Sequence, residues 1–104
     1  MVLYVMKWNI LPDKKEEYTQ WSQGAIGRTL AVPGLVEFRA YWPATGGWHV
    51  VVTYEFADLA GWVAFYEHPD FQNVLEELRT LVTNLTTEVW GPSPVVSAPI
   101  RPGG

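Results

Sequence analysis

The 104-residue sequence contains no cysteine and only two histidines. Disulfides, thiolate metal sites and a cysteine nucleophile are thereby excluded. With two His and no compatible carboxylate spacing, a structural or catalytic metal is not expected. Charge is scarce as well: 17% of residues are charged, below the roughly 25% of ordinary soluble domains. Seven basic and eleven acidic side chains give a net charge of −4, without a basic cluster anywhere. Nucleic-acid binding needs a positive stripe that displaces counterions, so no nucleic-acid partner is expected. Polar residues interrupt each apolar run short of membrane-spanning length, and the first residues lack a signal-peptide pattern. The expectation is a cytoplasmic protein with no membrane partner.

What is plentiful is apolar surface. The chain is 48% hydrophobic and 14% aromatic, with six Trp. Its length suits one domain, and it carries more apolar surface than a monomeric core obviously needs. That excess calls for a partner surface, a ligand site, or both.

Segment by segment, start and stop signals divide the chain. Met1 to Ile10 is β-branched and aromatic and reads as a strand. Pro12-Asp13 ends it, and Asp13 with Glu16 forms a candidate capping box for a helix. Tyr18, Trp21, Ala25 and Leu30 recur at roughly helical spacing until Val32-Pro33-Gly34. Leu35 to Trp42 and Trp48 to Phe56 flank a Pro/Gly loop and predict a β-hairpin. Asp58 caps a second helix through Tyr66, and His68-Pro69 breaks it, with His68 expected to cap its carbonyls. Another helix from Asp70 carries Phe71, Val74, Leu75, Leu78, Leu81 and Val82 on one stripe. Thr86 to Trp90 predicts a short last strand. The order is βαββαβ, a ferredoxin-like α+β fold: a four-stranded antiparallel sheet with helices on one face. A domain over 1–91 and a proline/glycine-rich tail over 92–104 follow, since residues 91–104 hold four of the eight prolines. Val95-Val96 is apolar enough to dock on another surface, such as a partner subunit.

Side chains alternate along strands, so residue parity separates the two sheet faces. Val2, Tyr4, Met6 and Trp8 should lie under the helices. Val36, Phe38, Ala40 and Trp42 should join them, with Trp48, Val50, Val52, Tyr54 and Phe56. The other face carries Leu3, Val5, Lys7 and Asn9, then Leu35, Glu37, Arg39 and Tyr41, then His49, Val51, Thr53 and Glu55. Thr86, Glu88 and Trp90 are assigned to it too. A face this mixed is more apolar than water usually tolerates, and such patches mark interfaces or ligand sites. The simplest cover is the same face of a second copy, giving a homodimer.

Three segments carry a family resemblance. Pro12-Asp-Lys-Lys-Glu-Glu-Tyr18, Val32-Pro-Gly34 and Trp62-x-x-Phe-Tyr-Glu-His-Pro-Asp-Phe71 resemble the antibiotic biosynthesis monooxygenase branch of the dimeric α+β barrel superfamily. The similarity covers roughly residues 1–91. It implies a dimeric barrel and cofactor-independent oxidation, or binding, of a small aromatic or polyketide-like molecule. In that chemistry the substrate's own enolate or phenolate passes an electron to oxygen. The superfamily also contains haem-degrading enzymes, isomerases and non-catalytic stress-response or ligand-carrying barrels. The haem-degrading branch has an Asn matched by Asn9, but its haem-ligating His falls at Leu75 here and its Trp at Phe65. The resemblance therefore implies no haem, and no cofactor is expected.

Candidate site residues follow. Asn9 stands near the end of the first strand, as a functional group or as a strand-end residue bonding the turn beside Pro12. His49 is expected across the hairpin from Tyr41, where with Arg39 it could polarise a phenolate and move a proton near neutral pH. The alternative for that group is a cross-strand contact inside a dimer interface. Glu37, Glu55 and Glu88 could pair with Lys7 and Arg39 there. Trp62, Tyr66 and Trp90 are the expected walls of a substrate site. Gly24-x-x-Gly27 and Gly46-Gly47 lack the strand-turn-helix context of a phosphate loop.

Overall fold

A computed structural model describes residues 1–103. Strand β1 (Val2–Ile10) leads through a short 3-10 turn (Pro12–Lys14) into helix α1 (Lys15–Leu30). Strands β2 (Glu37–Tyr41) and β3 (Val50–Phe56) form the hairpin. Helices α2 (Leu59–Glu67) and α3 (Pro69–Arg79) and strand β4 (Val82–Trp90) complete the ferredoxin-like α+β domain. All sheet pairings are antiparallel, in the order β2-β3-β1-β4.

The ends of the helices have identifiable causes. Asp58 caps α2 as expected, its side chain accepting from the Gly61 N–H at 2.8 Å. Asp13 does not cap α1: it sits inside the 3-10 turn, whose N-cap is Leu11, and no side chain caps either start. Pro12, fixed near a helical φ, opens that turn instead. His68 also departs from expectation. Its Nδ1 accepts from the Asp70 N–H at 3.1 Å, so it caps the start of α3, while the end of α2 is closed by its backbone N–H to the Phe65 carbonyl. Gly34, with φ of 99°, supplies the left-handed turn after α1 that a side chain would strain.

Parity holds in the strand centres. Tyr4, Met6 and Trp8 of β1 and Val50, Val52, Tyr54 and Phe56 of β3 are all buried, and Phe65, Phe71, Leu75 and Leu78 cover them from α2 and α3. Phe56 and Phe65 pack with ring centroids 5.0 Å apart, and Phe65 and Phe71 with 4.6 Å. Parity fails at the hairpin tip, because β2 ends at Tyr41 and β3 starts at Val50. Val36 and Trp42, expected under the helices, lie outside the strands and are 60% and 71% exposed. Leu30, read with Tyr18, Trp21 and Ala25 as recurring at roughly helical spacing, is exposed, and Thr29 takes the inward position.

Strand β4 is longer than the sequence suggests because it contains a bulge. Lys7 pairs with Thr86 but Asn9 pairs with Thr83, so Asn84 and Leu85 together oppose Trp8. Asn84 takes a φ of 58°, a conformation that asparagine tolerates. The extra residue resets the alternation. Val82 therefore points inward before the bulge, whereas Thr86, Glu88 and Trp90 share the open face after it, opposite Lys7, Val5 and Leu3. Beyond Trp90 the described tail has no helix or strand. It turns at Ser93, whose Oγ accepts from the N–H groups of Val95 and Val96.

Candidate functional site

A cavity of about 160 Å³ lies between α1 and the inner face of the sheet. Helix α1 supplies one wall through Tyr18, Trp21, Ser22, Ala25, Ile26 and Thr29. Those positions repeat at three and four residues, so they form one stripe along the helix. The floor is Trp8 of β1, Phe38 and Ala40 of β2, and Val50, Val52 and Tyr54 of β3, while Val74 and Leu78 of α3 close one side. Small residues create the space. Ser22, Ala25 and Thr29 stand where a helix packing directly on a sheet would place Leu or Ile.

The lining is aromatic and contains no charged side chain. Its polar groups are hydroxyls and the Trp8 and Trp21 indole N–H groups. Trp8 Nε1 donates to the Tyr18 hydroxyl oxygen at 3.2 Å, leaving that O–H free to donate. Ser22 Oγ donates to the Thr19 carbonyl at 2.9 Å. Burial raises the pKa of Tyr18 above its ordinary value, against the opposing hydrogen bond from Trp8. Burial raises Tyr54 further still. Both phenols are therefore neutral at physiological pH.

An external clamp holds the α1 wall. Trp21 Nε1 donates to Glu77 Oε1 at 2.7 Å, and Arg28 makes two hydrogen bonds to the same carboxylate at 3.0 and 2.9 Å. The Glu77 carboxyl is held below the usual carboxylate range, first by the Arg28 hydrogen bond and then by that from Trp21. Glu77 thus ties α1 to α3 and fixes the indole that walls the cavity.

None of the residues expected from the sequence to form the site lines this cavity, and they fall into three groups. Asn9 and His49 do come together. Asn9 Oδ1 accepts from the His49 N–H at 2.9 Å, and His49 Nδ1 accepts from the Ile10 N–H at 2.9 Å. The pair ties the end of β1 to the start of β3, beside the bulge in the neighbouring β1–β4 ladder. His49 does not face Tyr41, whose cross-strand partner is Val51; the His49 ring stacks instead on Trp42, 5.9 Å away and inclined by 5°. Because Nδ1 is an acceptor, Nε2 carries the hydrogen of the neutral ring.

Arg39, Tyr41 and Trp90 form the second group, lining a shallow concavity on the open sheet face with Leu3, Lys7 and Val51. Of the ion pairs expected there, the chain itself makes Arg39–Glu37, while Glu88 accepts from Trp90 Nε1 at 2.7 Å. Trp62 and Tyr66 are the third group. They pack under α2 against Tyr4, with ring centroids 5.6 and 6.1 Å from it, and the buried Trp62 Nε1 has no partner among the described residues. Burial raises the Tyr4 hydroxyl to about 12. Among the described residues no group of three or more His, Asp or Glu is placed to hold a metal ion.

Sequence reasoning misses Ser22, Thr29, Phe38 and Ala40 as cavity residues, and takes Tyr18 and Trp21 only as a helix stripe. The available signal is the alternation of large aromatics with Ser, Ala and Thr along that stripe.

No family model and no curated protein matches the sequence. Solved structures do match it, an antibiotic biosynthesis monooxygenase among them. A DABB family protein from Mesorhizobium loti is 18% identical, with a TM-score of 0.78 over 88% of this chain and 96% of its own. A dimeric ferredoxin-like protein of unknown function from Thermobifida fusca is 14% identical, with a TM-score of 0.73 over 86% and 88%. SnoaB, a cofactor-independent oxygenase from Streptomyces nogalater in a mutant form, is 17% identical, with a TM-score of 0.67 over 86% and 89%. No described helix is long and apolar enough to cross a membrane. At these identities the likeness establishes the fold: the chain has the ferredoxin-like architecture of the DABB and antibiotic biosynthesis monooxygenase proteins.

Proposed function

We propose that the protein binds a small aromatic molecule in the cavity beneath α1 and works as a homodimer joined through the open sheet face. The cavity carries the binding reading: it is apolar, aromatic-lined and furnished with a few hydroxyls, the usual constitution of a small-molecule site. The open face carries the dimer reading. Glu37 stands directly opposite Glu55, a like-charge pair that weakens an isolated sheet, and Lys7 lies nearby on the same face. A second copy laid face to face supplies counter-charges and covers Leu3, Val51, Tyr41 and Trp90. The dimeric Thermobifida protein supports the same reading.

A second reading, cofactor-independent oxygenation of the bound molecule, is favoured by the likeness to SnoaB. In such chemistry the protein removes a proton from the substrate and keeps water away from the carbanion or phenolate. The cavity itself holds no titratable base in the neutral range. This reading assigns the proton to His49, with Asn9 as its positioning residue; neither lines the cavity, and His49 Nδ1 takes a proton only on giving up its bond from the Ile10 N–H. Arg39, Tyr41 and Trp90 then serve the dimer face, and Trp62 and Tyr66 the packing of α2.

Binding is tested by titrating phenols and naphthols against tryptophan fluorescence, since Trp8 and Trp21 wall the cavity. Saturable quenching that disappears in Ala25→Trp supports it; no quenching with any ring compound refutes it. Oxygenation is tested with an oxygen electrode and dihydroxy-aromatic substrates. Oxygen uptake that falls in both His49→Ala and Asn9→Ala supports the proton assignment, and unchanged rates in both refute it. A stable monomer at micromolar concentration in sedimentation contradicts the dimer.

A further inference from the structure

We infer that the molecule taken by the cavity is uncharged, of single-ring size, and bears a hydrogen-bond acceptor such as a carbonyl oxygen. The inference rests on the binding reading above and names its ligand class. Three features of the cavity carry it.

The first is size. At about 160 Å³ the space matches cavities of about 150 Å³ that hold a benzene-sized molecule. The cavity is partly open, so a ligand of three or four fused rings would stand partly outside it, and the Trp21–Glu77–Arg28 clamp resists widening of the space.

The second is charge. No Lys, Arg, His, Asp or Glu lines the cavity, so an anion or cation would be desolvated without a counter-ion. Arg28 and Glu77, the charged pair of the clamp, are consumed by each other and by Trp21.

The third is the state of the hydroxyls. Tyr54 and Thr29 line the cavity, and their hydroxyls make no side-chain hydrogen bond among the described residues, yet neither is a fully buried orphan, so both open onto the cavity space. Tyr18 accepts from Trp8, which leaves its own hydrogen without an acceptor. Three O–H donors thus face the cavity and are available to a ligand. Neutral phenols are donors throughout the physiological range, since burial holds both tyrosines above their ordinary pKa. Tyr18, whose oxygen already accepts from Trp8, offers its hydrogen, and a ligand carbonyl or ether oxygen is the partner that suits it.

Calorimetric titration with toluene, acetophenone, benzoate and anthrone separates the possibilities. Acetophenone is expected to bind at least tenfold more tightly than benzoate of the same size, and anthrone not to bind. Tyr54→Phe should weaken acetophenone about fivefold and leave toluene unchanged. Tyr18→Phe also removes the acceptor of Trp8, so the Tyr54 variant and Thr29→Val are the cleaner pair. Benzoate or anthrone binding as well as acetophenone overturns the ligand class while leaving the binding reading intact. So does an acetophenone affinity that neither Tyr54→Phe nor Thr29→Val changes. Failure of all four compounds to bind overturns the binding reading, and this inference with it.

Discussion

Replacing Ala25 by Leu should stabilise the protein. Ala25 is buried in the middle of α1, and its methyl lies on the cavity wall. The substitution adds three carbon groups to an empty apolar space. At about 0.8 kcal/mol per buried methylene, the transfer gain is about 2.4 kcal/mol at most. Ordering the longer side chain costs about 0.5–1 kcal/mol, and the helix propensities of Ala and Leu differ little. The net gain is about 1.5 kcal/mol. In a domain of this size that raises Tm by on the order of 10 °C. Urea unfolding followed by circular dichroism, with a thermal scan beside it, measures both. The same variant should lose affinity for ring compounds, because the leucine occupies their space. If the region were instead a filled core, the added atoms would overpack it and lower stability by about 1–3 kcal/mol. The sign of the change therefore decides the matter, and a destabilised variant would refute the reasoning.

Other perturbations test the parts around the cavity. Gly24 and Gly27 lie within α1 with no atom near the position a Cβ would take, so Gly24→Ala and Gly27→Ala should each add about 0.5–1 kcal/mol in denaturant unfolding. A loss of stability in either would show that the outer face of α1 is not free. Asp58→Ala removes the cap on Gly61 and should cost about 1 kcal/mol; no change would mean that the α2 start is held by packing alone. Glu77 has a depressed carboxyl pKa, so its contribution is fully present above the unfolded value of about 4.3 and is lost as pH falls through the lower folded value. Both partners of the pair are substantially exposed, so the contribution is under about 1 kcal/mol. The stability gap between wild type and Glu77→Gln should accordingly shrink from about pH 7 to about pH 3, and a gap constant across that range contradicts the clamp.

Much of the architecture is legible in the sequence because local signals agree with one another. The β-branched run of β1, the Asp58 cap, the Pro69 break and the amphipathic stripe of α3 each have one cheap solution. Boundaries are lost where two rules compete. Asp13 has the chemistry of a cap, but Pro12 already sets the turn. Trp42 and Trp48 have strand propensity, but the strands end before them and leave an eight-residue loop. The bulge at Asn84 is illegible to parity counting, since one left-handed residue inverts the alternation of everything after it.

The candidate site is less legible, for a different reason. Sequence reading favours polar and titratable residues, and so it selects Asn9, His49, Arg39 and Tyr41. The cavity is made by what is missing, the bulk absent at Ser22, Ala25, Thr29 and Ala40. A deficit of volume appears only after two elements are packed together. Arg39, Tyr41 and Trp90 share one face, which parity can see because strand register is local. Asn9 and His49 meet because the β1–β3 register brings the end of one strand to the start of the other.

The most direct test of binding beneath α1 is a crystal structure of the protein soaked with 4-bromoacetophenone, read by the anomalous signal of the bromine. One bromine peak is expected inside the space bounded by Trp8, Trp21, Phe38 and Tyr54, with the carbonyl oxygen within hydrogen-bond distance of the Tyr18, Thr29 or Tyr54 hydroxyl. A peak confined to the open sheet face beside Arg39 and Trp90, with the space under α1 empty, contradicts it.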